Sequence, residues 1–132
     1  MNRIERINDF VVRFANVNGT GSASANNLFA QAIFRMGIPV SPKNIFPSNI
    51  QGLPTWFEVR VSAKGYLARR EGIDLTVAVN GQTLIQDYND VLPGGYFLFF
   101  SSSEKAGVLE QGSWQRSIPV EAYLWQQRQA WE

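Results

Sequence analysis

The chain has 132 residues, 45% of them hydrophobic and 17% charged, with a net charge of +1 and neither cysteine nor histidine. That length suits one domain around a single core. The missing residue types exclude disulfides, thiolate-bound metals or clusters and the usual neutral-pH proton shuttle. Lysines and arginines stand singly apart from Arg69 and Arg70, so no basic face with interleaved aromatics forms and no nucleic-acid partner is expected. The first nine residues are polar and charged, and no apolar run approaches the ~20 residues of a membrane span. The expectation is a cytoplasmic protein.

The first element is a strand over Phe10 to Ala15, where Val11, Val12, Phe14 and Ala15 make a nearly continuous apolar run suited to a sheet covered on both faces. A turn with Gly19 and Gly21 follows. A helix then carries Leu28, Phe29, Ala32, Ile33 and Met36 on one predicted stripe, with Phe34 opposite and Gly37 as the stop. Three prolines between Ile38 and Pro47 limit the next segment to a short strand near Asn44 to Phe46.

Trp56 to Ser62 alternates Phe57, Val59 and Val61 against Glu58 and Arg60, the pattern of a half-covered strand at an edge or under a partner. A charged connector, Lys64 to Gly72, leads to a buried-type strand from Asp74 to Asn80. A helix is expected from about Gln82 to Asp90 and a last strand from Gly94 to Phe100. In the tail, Pro119 to Trp131 reads as one helix with Val120, Leu124 and Trp131 on one side. Strands alternating with helical segments imply an α/β fold: a Rossmann-like, mainly parallel sheet with helices on both faces and one antiparallel or edge strand.

A strand, glycine turn and helix in immediate succession aim backbone N–H groups and the positive end of a helix at one spot, as in anion-binding α/β domains. The candidate binding residues are Asn18, Gly19, Thr20, Gly21 and Ser22. Right-handed crossovers place this loop and Asn80 at the same end of the sheet. A dinucleotide fingerprint would have glycine where Ser24 stands and an acidic residue about 20 positions on. No Asp or Glu occurs between Asp9 and Glu58, which argues against an NAD site. The same glycines also suit a plain tight turn without a ligand. No catalytic or metal site is read from the residues.

Four segments carry a resemblance: Val17 to Ala30, Gly37 to Trp56, Glu58 to Ser62 and Pro93 to Tyr96. Together they resemble the gamma-type domain of 2-oxoacid:ferredoxin oxidoreductases, in the version at the N-terminus of the alpha subunit of 2-oxoglutarate-type enzymes. The resemblance implies a gamma-type domain over residues 1–100 and a divergent tail over 101–132, in an apparently truncated copy. It implies an accessory or assembly role in oxidative decarboxylation of a 2-oxoacid to an acyl-CoA. Thiamine diphosphate, iron–sulfur clusters and CoA belong to the complete enzyme, none of them bound by this chain alone. The implied partners are a thiamine-binding beta subunit, the remaining alpha-subunit domains and, indirectly, ferredoxin. Phe34 and Trp56 are the candidate interface residues. The alternatives are a free-standing phosphate- or nucleotide-binding module and a non-functional remnant.

Overall fold

A computed structural model describes residues 7–17, 19, 21–46, 52–68, 70–100 and 121–125. In chain order the elements are β1 (Asp9–Val17), α1 (Ser22–Arg35), β2 (Val40–Ile45), β3 (Pro54–Ser62), β4 (Ile73–Ala78), a 3-10 turn (Gly81–Thr83), α2 (Leu84–Asn89), β5 (Val91–Phe100) and β6 (Glu121–Trp125). The strands form one mixed sheet in the order β2-β3-β1-β4-β5-β6. β1, β4, β5 and β6 are parallel neighbours, and β3 alone runs against both of its neighbours.

The register decides what each face carries. Phe14 lies opposite Phe57 and beside Val77, and Val12 lies opposite Val59. These residues share the face on which Ala30 and Ile33 of α1 pack with Phe10, Phe57, Val59 and Val61. Ala15 and Ala78 point the other way, where Leu84 and Tyr88 of α2 close over Val91, Phe97 and Phe99. Helices therefore cover both faces, as right-handed crossovers leaving β1 and β4 in opposite directions require.

Three sequence expectations change here. β3 is an interior strand, and its polar side is buried: Glu58 is 3% exposed and Arg60 8%. Alternation records polarity rather than solvent, and cross-strand pairing with Arg13 makes a charged row tolerable inside the sheet. The prolines do not prevent β2, which runs through Pro42 because an edge strand loses no ladder bond on its outer side. Finally, Glu121–Trp125 is a strand parallel to β5, not part of a helix. Pairing with an open neighbour overrides a short, broken helical stripe. The rest of that expected helix lies outside the described residues.

Where β4 begins, its register with β5 shifts between Ile73 and Leu75. Gly95 sits against this irregularity. A Cβ there would stand 2.8 Å from the Asp74 carbonyl oxygen and 2.9 Å from that of Leu92, so only glycine lets the two backbones approach.

Candidate functional site

The first helix leaves β1 toward β2, whereas α2 leaves β4 toward β5 on the opposite face. Between the carboxyl ends of β1 and β4 lies the point where crossover direction reverses, which is where open α/β sheets hold ligands. Gly19 and Gly21, with φ of 88° and 76°, turn the chain from β1 into α1. Gly21 occupies the N-cap position, and no side chain caps the first-turn amides. The positive end of the α1 dipole and a first turn without acidic residues make this helix start favourable to an anion.

Asparagines build the walls. The Val79 and Asn80 amides both donate to the Ala15 carbonyl, at 2.9 and 3.1 Å. Asn80 Nδ2 donates to the Asn16 carbonyl at 3.2 Å, while its Oδ1 accepts from the Gln82 amide at 2.9 Å. This one buried side chain locks the two strand ends together and starts the turn into α2. Under the glycine loop is a recess of about 50 Å³, lined by Asn16, Gly19, Gly21, Ser22, Asn26 and Trp56 among others. Asn26 is buried and its Nδ2 has no partner.

Gly19, Gly21 and Ser22 thus meet at one recess, and Asn80 stands at the same end of the sheet. Asn18 and Thr20 lie outside the described residues. Asn26 was not predicted, although a polar residue one turn inside a small-residue helix start was the available signal. The predicted stripe of α1 is also displaced. Its inward line is Asn26, Ala30 and Ile33, with Phe29 edge-on to Phe14 at 5.4 Å. At 100° per residue this is roughly 80° around the helix from the predicted one, because the angle of the glycine turn, rather than hydrophobicity alone, sets which side meets the sheet. Leu28 and Met36 are consequently 63% and 73% exposed, and Ala32 is exposed too. Phe34, on another side of the helix, is 67% exposed. Trp56 is half-buried, and its indole N–H donates to Asp87 Oδ1 at 2.8 Å.

Asp87 is wholly buried and also accepts from Thr83 Oγ1 at 2.6 Å. Burial raises its pKa, and the bonds from Thr83 and Trp56 only partly oppose this. An acid whose folded pKa is raised keeps its proton in the native state after the unfolded chain has lost it. Stability therefore falls as pH rises from about 4, the ordinary aspartate range, through the raised folded value. Asp87→Asn keeps an acceptor for Trp56 and removes the titration. Its urea midpoint is expected to decline less than that of the parent between pH 4 and 7, and parallel pH profiles would refute this assignment.

Nearby, Arg13 joins β1 to β3 and to the end of α2. Its Nε and Nη2 donate to Glu58 Oε1 at 3.1 and 2.8 Å, and Nη1 donates to Asp90 Oδ2 at 2.6 Å. Burial works against the guanidinium charge, but the bonds to Asp90 and Glu58 outweigh it, so its pKa is raised. Among the described residues no group of three or more potential ligands is placed to hold a metal ion, and no helix is long and apolar enough to cross a membrane.

The architecture is that of an open α/β domain with a helix start at its crossover reversal, the place where sheets of this class bind ligands. The family model described as pyruvate ferredoxin/flavodoxin oxidoreductase matches residues 11–130, and the chain belongs to that family. Over 73 residues it is 30% identical to the alpha subunit of 2-oxoacid:ferredoxin oxidoreductase 1 from Sulfurisphaera tokodaii, a match covering 55% of this chain but 12% of that protein. The 2-oxoglutarate:ferredoxin oxidoreductase of Magnetococcus marinus, solved with 2-oxoglutarate, coenzyme A and succinyl-CoA bound, superposes with a TM-score of 0.69 and 26% identity. That superposition covers 90% of this chain and 20% of the other. Pyruvate oxidoreductase subunit PORC from Thermotoga maritima shares the fold, with a TM-score of 0.63 and 19% identity over 79% of this chain and 56% of its own.

Proposed function

We propose that this chain is the accessory, assembly domain of a 2-oxoacid:ferredoxin oxidoreductase acting on 2-oxoglutarate, in which the Gly19–Ser22 turn contacts the phosphate end of coenzyme A. The observation that carries the reading is the uncapped start of α1 at the reversal point of a family domain. The likeness to the Magnetococcus marinus enzyme supports the choice of 2-oxoacid and of coenzyme A. Decarboxylation itself belongs to the thiamine-binding beta subunit and the remaining alpha-subunit domains, with electrons passing through iron–sulfur clusters to ferredoxin. A chain without cysteine has no ligand set for such a cluster. The exposed Leu28, Phe34 and Met36 of α1 supply apolar area for docking onto those neighbours. Trp56 supports the recess from within rather than offering its indole N–H to a partner.

The test mixes the chain with the thiamine-binding beta subunit at micromolar concentration and titrates coenzyme A calorimetrically. Co-migration, with heat from coenzyme A only when the partner is present, is the expected result. Gly21→Val, which forces a β-branched side chain to φ 76°, should weaken coenzyme A binding at least tenfold without abolishing co-migration. Absence of association overturns the assembly reading. Tight coenzyme A binding by the isolated chain favours the free-standing phosphate- or nucleotide-binding module instead.

A further inference from the structure

A second cavity lies near the opposite end of β1, about 20 Å from the glycine turn at 3.3 Å per residue between Val11 and Val17. Its volume is about 220 Å³. The sheet supplies its floor. In register across three strands, Val11, Arg60 and Ser41 form one row, and Glu58 and Lys43 form the next. These side chains share the α2 face, at a part of the sheet that α2 does not cover. The connector after β3 supplies the roof through Leu67, Ala68 and Arg70.

Two arginines at this cavity each keep a buried guanidinium nitrogen without a hydrogen-bond partner. Arg60, with 10% of its side chain exposed, commits Nη1 to Asp9 Oδ1 at 2.6 Å and to the Val61 carbonyl at 2.7 Å. Its Nε is buried without a partner. Arg70 gives Nη2 to Asp74, and its Nε is likewise buried without a partner. Lys43 is exposed at the rim, with no ion pair among the described residues. Glu58 is the one acidic side chain in the lining, and it is held by Arg13. Buried donors without acceptors are costly in a low-dielectric wall and are normally met by a bound group or ordered water.

We propose that this cavity binds a small organic oxyanion, a carboxylate or phosphate monoester whose charged end meets Lys43, Arg60 and Arg70 and whose apolar body rests on Leu67 and Val11. The site is independent of the glycine turn, since it lies at the other end of the strand and uses side-chain cations rather than helix amides. Arginine forks and a lysine at the rim are the donor set that recognises planar or tetrahedral oxyanions.

Phenyl phosphate and inorganic phosphate are the probes, titrated into the full chain while amide NMR shifts are followed. Binding is expected to shift Ser41, Lys43, Leu67 and Ala68 and to leave Gly19 to Asn26 unmoved, with phenyl phosphate at least tenfold tighter than phosphate. Lys43→Gln should weaken it at least fivefold, and Leu67→Trp, which fills the cavity, should abolish the preference for the phenyl body. Arg35→Gln makes the same charge change on α1 and should have no effect. Lys43 and Leu67 are exposed, so these variants test binding without removing the core. Equal weakening by Lys43→Gln and Arg35→Gln, or shifts confined to the glycine turn, would overturn the assignment.

Discussion

Arg13→Met is expected to lower the unfolding free energy by about 3–5 kcal/mol, the cost of removing one partner from a buried ion pair. The Arg13 and Glu58 side chains are 9% and 5% exposed. Methionine fills much of the volume but leaves Glu58 without the two guanidinium bonds it accepts at 2.8 and 3.1 Å. Asp90 is 43% exposed on its side chain, so solvent takes over that arm and it contributes little to the loss. The loss of those two bonds from a buried carboxylate therefore decides the outcome. Urea denaturation of Arg13→Met, Glu58→Gln and the double variant separates the terms. The double variant should recover a substantial part of the loss, and simple additivity of the two single effects would show that the pair is not coupled.

Removing the ring at Phe97 has an effect of similar size and a different origin. Phe97→Ala is expected to cost about 3–5 kcal/mol through lost burial and the space left behind. The ring is wholly buried, edge-on to Tyr88 at 5.3 Å and tilted against Phe99 at 5.5 Å. It joins α2 to β5, and the sheet beneath it cannot collapse without breaking the β4 ladder. Phe34→Ala, on the exposed side of α1, should change stability by less than about 0.5 kcal/mol. A denaturant midpoint for Phe97→Ala close to that of Phe34→Ala would refute the assignment of Phe97 as the centre of this cluster.

Periodicity and punctuation made most of the sheet legible. The apolar runs of β1, β4 and β5 are strands covered on both faces, and Gly19, Gly21 and Gly37 mark the ends around α1 as read. The shared position of the glycine turn and Asn80 at one end of the sheet is legible too, because parallel strands with right-handed crossovers put successive carboxyl ends side by side. What escaped was pairing at a distance. Nothing local to Glu58 or Arg60 distinguishes a solvated strand face from one buried against Arg13 and the connector. The rotation of α1 depends on the exit angle of a turn, and the strand at Glu121–Trp125 depends on the open edge of β5. Asn26 and the cavity at Arg60 likewise arise from neighbours far along the chain.

The central place of β1 has a consequence for biosynthesis. It bonds to β3 and β4, whose paired residues lie as far as 53 (Asp9 with Ser62) and 63 (Val12 with Leu75) residues downstream, so an emerging polypeptide displays Val11, Val12 and Phe14 well before either flank has left the ribosome. Non-local closure of this kind slows folding and prolongs the interval in which the sticky β1 segment awaits its flanks. Ribosome-stalled nascent chains ending before residue 60 should accordingly recruit holdase chaperones, and release them once the segment through Ala78 has emerged.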